Sequence, residues 1–172
     1  MKVILYMAMS VNGLIARENG DEDFLSETNY QTFIELSHQS GCMIWGRKTH
    51  EAVRNYERDA FKPIGDMKKI VVSRNRNFQV EKGFEIAESP RQALDKLEQK
   101  GFKEVILTGG SGLNSSFAKE GLIDEVILNI QSVIIGKGIS LFSPENFDLN
   151  LKLKEIKKIS NEIIQLHYVV NR

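Results

Sequence analysis

The chain has 172 residues, 41% hydrophobic and 27% charged, a length that favours one compact domain over residues 1–172 with room for a real core. Lysine plus arginine and aspartate plus glutamate number 23 each, so the net charge is zero and neither nucleic acid nor an anionic membrane is indicated as a main partner. One cysteine and three histidines leave little for a disulfide framework or structural zinc site, and no run approaches the ~18 apolar residues of a membrane span. A cytoplasmic protein is expected.

Val3 to Met9 is aliphatic and uncharged, as a strand buried on both faces should be, and Asn12-Gly13 supplies a turn. Arg17 to Phe24 reads as a loop. Thr28 followed by Gln31 resembles a capping box, and Tyr30, Phe33, Ile34 and Ser37 share a helical stripe, which predicts a helix over 28–39 closed by Gly41. Cys42 to Trp45 is a short buried strand running into Gly46-Arg47-Lys48-Thr49 and a brief helix through Val53. A charged loop leads to a strand at Lys69 to Ser73.

Ser89-Pro90-Arg91-Gln92 combines an N-cap serine, a proline in the first turn and a capping-box glutamine, predicting a helix through Lys100 that Gly101 closes. Glu104 to Thr108 is apolar and strand-like, Gly109 to Gly112 reads as a tight turn, and Leu113 to Glu120 as a short helix. Asp124 to Ile135 reads as a long strand. Leu149, Leu151 and Leu153 alternate with polar residues, as do Leu166, Tyr168 and Val170 beyond a Ser160-Asn161-Glu162 turn, the pattern of an antiparallel hairpin at a sheet edge. The fold expected is α/β, a mostly parallel central sheet flanked by helices with an antiparallel C-terminal hairpin.

Ligands of such sheets sit beyond the carboxyl ends of the strands, where the turns after Met9, Trp45 and Thr108 all fall. Gly109-Gly110-Ser111-Gly112-Leu113 joins a strand to a helix and lets backbone N–H groups approach a phosphate. Its spacing lacks the third glycine and the downstream acid of a dinucleotide fingerprint, and no Gly-Lys-Ser/Thr makes a P-loop. Gly46-Arg47-Lys48-Thr49 and Ser73-Arg74-Asn75-Arg76 add guanidinium and hydroxyl groups after two other strands. His38, His50 and His167 are scattered and read as packed or solvated; Cys42 reads as core. Glu27, at the mouth of the first helix, is the carboxylate of interest.

In order and spacing, Ala8-Met9-Ser10-Val11-Asn12-Gly13-Leu14-Ile15-Ala16, Gly46-Arg47-Lys48-Thr49, Val71-Val72-Ser73 and Gly109-Gly110-Ser111-Gly112 resemble the dihydrofolate reductase-like superfamily. The resemblance is closest to its riboflavin-biosynthesis branch, the reductase domain of deaminase-reductases, and extends through Leu122 to Val126 and Ile135 to Phe142. It implies an NADPH-dependent reductase acting on a small heterocyclic or ribosylamino-pyrimidine substrate, and a homodimer that pairs through the terminal hairpin or the strand from Asp124. Carried over by position, Ala8 and Ile15 flank the nicotinamide, and Asn12 and Gly13 lie in the loop over it. Gly46, Arg47, Lys48 and Thr49 serve the cofactor phosphates, Ser73 and Arg74 the adenosine 2′-phosphate, and Gly109, Gly110, Ser111, Gly112 and Leu113 the pyrophosphate. The family's glycine pair often carries a cis peptide bond.

Tyr30 falls at or near the acidic position of the folate reductases, which argues against dihydrofolate. Glu27, the nearest carboxylate, and Asn12 are the catalytic candidates. Arg17, Lys48 and His50 are possible contacts for a substrate phosphate. The zinc deaminase motifs His-x-Glu and Pro-Cys-x-x-Cys are absent. The readings left open are a nucleotide-binding module that has lost catalysis, a folate-type reductase using Glu27 as its acid, and an interaction protein without a small ligand.

Overall fold

The structure is a computed structural model that describes residues 1–56 and 61–171; part of the expected charged loop, 57–60, lies outside the described residues. The strands are β1 (Lys2–Ser10), β2 (Leu14–Arg17), β3 (Cys42–Gly46), β4 (Lys68–Val72), β5 (Phe84–Ala87), β6 (Glu104–Leu107), β7 (Glu125–Gln131), β8 (Gly138–Ser140), β9 (Asn150–Lys158) and β10 (Ile163–Asn171). The helices are α1 (Glu27–Ser40), α2 (Arg47–Arg54), α3 (Pro90–Glu98) and α4 (Ser111–Lys119), with a 3₁₀ turn at Lys62–Ile64. Eight strands form one sheet in the order β5-β4-β3-β6-β1-β7-β10-β9, parallel from β5 to β7 and antiparallel across β7-β10-β9. The expected α/β architecture and terminal hairpin are both present.

Alternation along the central strand explains the three layers. Val3 and Leu5 of β1 join Leu97 of α3 and Phe117 of α4 on one face, while Ile4 and Tyr6 join Phe33, Ile34 and Val53 of α1 and α2 on the other. Fully burying such side chains contributes about 2 kcal/mol each, so a strand loaded on both faces anchors the domain. Among the described residues no helix is long and apolar enough to cross a membrane.

Several expectations need correction. The long strand from Asp124 is shorter, β7, and it lies between β1 and β10, so it offers no free edge; β9 and β5 are the edges. Asp124 instead accepts a hydrogen bond from Val3 N at 2.7 Å. Strands β2, β5 and β8 are additional to those expected, each four residues or fewer, too short to show a periodicity. The N-cap of α1 is Ser26 rather than Thr28, and Gln31 donates to Glu27 Oε1 at 2.9 Å instead of closing a capping box. The cap at Ser89 forms as expected, its hydroxyl accepting from Gln92 N.

Candidate active site

Parallel pairing of β3, β6 and β1 brings their carboxyl ends side by side, and the turns that follow meet there. Gly46 N donates to Gly109 O at 2.7 Å, and a Cβ at Gly110 would stand 3.2 Å from Thr49 Oγ1. Gly109 has φ +83°, the left-handed region that glycine adopts at no steric cost, and the Gly109-Gly110 peptide bond is cis, as the resemblance implies. Helices α2 and α4 begin at Gly46 and Gly110 with no side-chain cap. Two uncapped helix starts in contact, with no Cβ between them, suit the oxygens of a diphosphate.

The expected four-residue turn is narrower, because Ser111 and Gly112 already belong to α4. Ser111 is buried and its Oγ accepts from Ser143 Oγ at 3.0 Å; Leu113 Cβ is the packing neighbour a Cβ at Gly46 would meet at 3.7 Å. Arg47 makes a two-pronged pair with Glu51, at 2.8 and 2.9 Å, while Lys48 is exposed. Ser73 follows directly on Val72, the register partner of Gly46, and its Oγ accepts from Asn75 N at 3.1 Å; Arg74 is exposed beside it.

A cleft of about 850 Å³ opens on the α1–α2 face of the sheet. Tyr6, Ala8, Ile15 and Thr108 line it from the strand side, Trp45, Thr49 and Tyr56 from β3 and the α2 region, and Glu22, Glu27 and Tyr30 from the loop before α1 and its first turn. Of the positions carried over from the resemblance, the structure brings Ala8, Ile15 and Thr49 into this cleft, together with Glu27, the carboxylate nearest Tyr30, and Thr49 also stands close to the glycine turn. Asn12 and Gly13 do not line it. Asn12 accepts from Ser10 Oγ at 2.9 Å and from Ile135 N at 3.2 Å, and donates to Ile135 O at 2.7 Å, so its amide holds the loop.

Glu27 is exposed, its carboxylate taking the Gln31 bond. Glu22 differs. Tyr56 OH donates to its Oε2 at 2.9 Å, and burial pushes its pKa up, opposed by that hydrogen bond and assisted by the charge of Asp21. Its position in a featureless polar loop gave no signal in the sequence. Arg17 is engaged at the exposed rim, donating through Nε to Asp23 Oδ1 at 2.5 Å.

His50, one of the three suggested phosphate contacts, is corrected: it is fully buried, with Nε2 2.6 Å from Glu81 Oε2 and its ring packed against Phe61 and Phe84. Burial lowers its pKa, partly countered by Glu81. His38 contacts Pro63 O, and His167 contacts Glu125 from β10, both away from the cleft. Cys42 is fully buried; burial, with the nearby Glu104 charge, pushes its thiol up to about 12, which suits a core residue.

Beneath the cleft lies a buried amide network. Asn129 Nδ2 donates to Tyr6 OH and to Asn29 Oδ1, both at 3.0 Å; Asn29 Nδ2 donates to Gln131 Oε1 at 2.8 Å; and Gln165 Nε2 donates to Asn129 Oδ1 at 2.9 Å. Tyr6 OH in turn donates to Asn29 O at 2.9 Å, and burial raises the phenol's pKa. These bonds tie the start of α1, one wall of the cleft, to β1, β7 and β10. The signal available in the sequence was Asn129 and Gln131, two amides among the aliphatic residues that follow Glu125 in β7.

The RibD C-terminal domain family matches residues 1–165. YwjB of Bacillus subtilis is 33% identical over 175 residues, covering 98% of this chain and 97% of that protein. A Shewanella sp. PV-4 structure, whose name assigns it provisionally to riboflavin biosynthesis, superposes with a TM-score of 0.81 at 22% identity over the whole of both chains. A diaminohydroxyphosphoribosylaminopyrimidine deaminase/5-amino-6-(5-phosphoribosylamino)uracil reductase from Thermotoga maritima gives 0.75 at 18% identity, over 99% of this chain and 56% of that one.

Proposed function

The chain belongs to the RibD C-terminal domain family, and from that premise we propose that it is an NADPH-dependent reductase of a small heterocyclic substrate. The observation that carries the reading is the continuity of the site: the cleft reaches Thr49, which stands close to the glycine turn where two uncapped helix starts meet. NADPH, when bound, supplies the hydride. The starts of α2 and α4 hold its diphosphate, and Ser73 and Arg74, with Lys48, lie where cations and a hydroxyl serve a further phosphate. Ala8 and Ile15, both buried, give the nicotinamide an apolar seat that excludes water. Glu22 is a cleft carboxyl whose pKa burial raises, which favours it for the part of proton donor.

The test is a titration with NADPH and NADH followed through Trp45, the single tryptophan and a lining residue. NADPH is expected to quench or shift its emission at lower concentration than NADH, with Arg74→Ala reducing that preference about tenfold, in line with loss of a charge-assisted phosphate contact. No response to either nucleotide removes the reading. We propose in addition a homodimer across the β9–β10 hairpin, where Leu153, Ile156 and Ile164 stand about half exposed at the sheet edge. Sedimentation of wild type against Ile156→Asp tests it, a monomeric wild type being the adverse result.

A further inference from the structure

The turn between β1 and β2 does not line the cleft, yet its polar groups are spent on fixing it in place. Asn12 is exposed, where water can satisfy an amide. Its side chain instead takes both backbone groups of Ile135, accepting from N at 3.2 Å and donating to O at 2.7 Å. The same Oδ1 accepts from Ser10 Oγ, and Ser10 Oγ accepts from Leu14 N at 3.0 Å, so one chain of bonds runs from the segment after β7 to the first residue of β2. Backbone bonds from Val11 N to Val133 O and from Leu141 N to Gly13 O hold the turn as well.

This brace sets the register of β2. The ladder with β8 pairs Leu14 with Ser140 and Ala16 with Ile139, which leaves Ile15 as the extra residue of a bulge. A bulge bends its strand and re-aims a side chain. Ile15 is accordingly buried and lines the cleft, although β2 and β8 make a separate two-stranded sheet. On the opposite strand glycine is required at 138, since a Cβ there would run into Ala16 O. The bulge is thus held at its near end by Asn12, through Ser10 and Leu14, and accommodated across the ladder by Gly138.

We infer that Asn12 is a positioning residue: it touches no ligand, and it fixes the bulge that holds Ile15 against the nicotinamide ring. The inference rests on the reading that the nicotinamide lies against Ala8 and Ile15, and it adds a determinant outside the cleft. An apolar seat is effective when its surface is fixed before the ring arrives, because a wall free to shift must be ordered by the ligand and loses contact with it. The phosphates and adenosine belong to the helix starts and Arg74, to which Asn12 makes no bond. Loss of the Asn12 amide should therefore weaken one end of the ligand only.

Two ligands isolate the ring: NADPH, and 2′-phospho-ADP-ribose, the same molecule without its nicotinamide. Both are titrated calorimetrically into wild type, Asn12→Ala and Asn12→Asp, and the emission of the reduced nicotinamide is recorded on binding. Wild type is expected to favour NADPH over 2′-phospho-ADP-ribose by about tenfold or more. Asn12→Ala should lose most of that margin, keep its affinity for 2′-phospho-ADP-ribose within about twofold, and lose the blue shift that an apolar seat gives the emission. Asn12→Asp keeps acceptor oxygens for Ser10 Oγ and Ile135 N but cannot donate to Ile135 O; it should fall between, and it carries the test alone if Asn12→Ala does not fold. A loss shared equally by the two ligands would make Asn12 a support of the fold at large and overturn the inference, and so would an unchanged NADPH affinity. Both of those results leave the cofactor reading standing. A wild type that binds neither ligand overturns the cofactor reading, one that binds the two equally overturns the seat at Ala8 and Ile15, and either takes the inference with it.

Discussion

The two parts of the site are built from different materials. Around Gly46 and Gly109 the chain uses backbone: helix starts, a left-handed glycine and the space left by missing Cβ atoms. The cleft wall formed by the 21–27 segment and α1 uses side chains, held from below by the amides of Asn29, Asn129, Gln131 and Gln165. At Gly109 and Gly110 an added Cβ would meet a neighbour at 3.2 Å, so the backbone part is tight there but makes few demands on side-chain chemistry. A side-chain wall can change its preference by one substitution, provided its scaffold survives. The two regions should accordingly fail in different ways.

The largest effect is expected at the scaffold of the wall. Asn129→Ala strips Tyr6 OH and Asn29 of a donor and Gln165 of an acceptor, all at a buried position, and each orphaned group costs about 1–3 kcal/mol. Denaturant unfolding should show a loss of about 3 kcal/mol or more. In the protein that remains folded, NADPH affinity should change by less than about threefold, since the turn is not part of that network. A parallel collapse of cofactor affinity would show that the two regions are one unit.

Gly109→Ala is the complementary cut. An L side chain at φ +83° costs about 1–2 kcal/mol, and its Cβ would lie 3.2 Å from the Met7 side chain, which must give way. Here stability should fall by about 2 kcal/mol and NADPH affinity by about tenfold or more. Unchanged NADPH binding would separate the glycine turn from the diphosphate.

The same division explains what the sequence disclosed. Gly46, Thr49 and Gly109 to Gly112 stand out because small residues between a strand and a helix leave a local signature, and the apolar strands and the Ser89-Pro90 cap are equally local. Thr28 misled because its spacing to Gln31 matches a capping box while the chain enters the helix two residues earlier, at Ser26. The cleft wall depends on contacts across long stretches of chain: Glu22 meets Tyr56, and Asn29 meets residues 100 and 102 positions away. Nothing near Glu22 in sequence announces a desolvated carboxyl, and a histidine in a basic turn such as His50 reads equally as packed, solvated or a phosphate contact until Phe61, Phe78 and Phe84 are seen around it.

His50 lies at the seam, on α2 behind Thr49, and joins that helix to Glu81 in the loop between β4 and β5. Its pKa is lowered chiefly by burial, so the unfolded chain binds the proton more readily than the folded one. Stability is full above the unfolded histidine value, about 6.5, and falls as pH drops through the lower folded value. The charges near it are Glu81, which favours protonation with Glu51, and Arg54, which opposes it. His50→Gln should have lower stability at pH 7 and a flatter profile between about pH 7 and 5 in thermal unfolding. An equally steep profile would assign the acid sensitivity to other groups.

The smallest effect is expected at Glu22, and its sign is the informative part. A carboxyl raised by burial favours its neutral form in the folded state, so its ionisation weakens the fold at pH values above its folded pKa. Glu22→Gln removes that cost and keeps an amide oxygen for Tyr56 OH, so it should be slightly more stable than wild type at pH 7. The advantage should vanish as pH falls below the ordinary carboxylate range, where the wild-type carboxyl is protonated in both states. Paired thermal melts at the two pH values read the difference directly. A variant less stable than wild type at neutral pH would mean that the charge itself is held by the fold, and Glu22 would then be a structural anion and no longer a group reserved for a ligand.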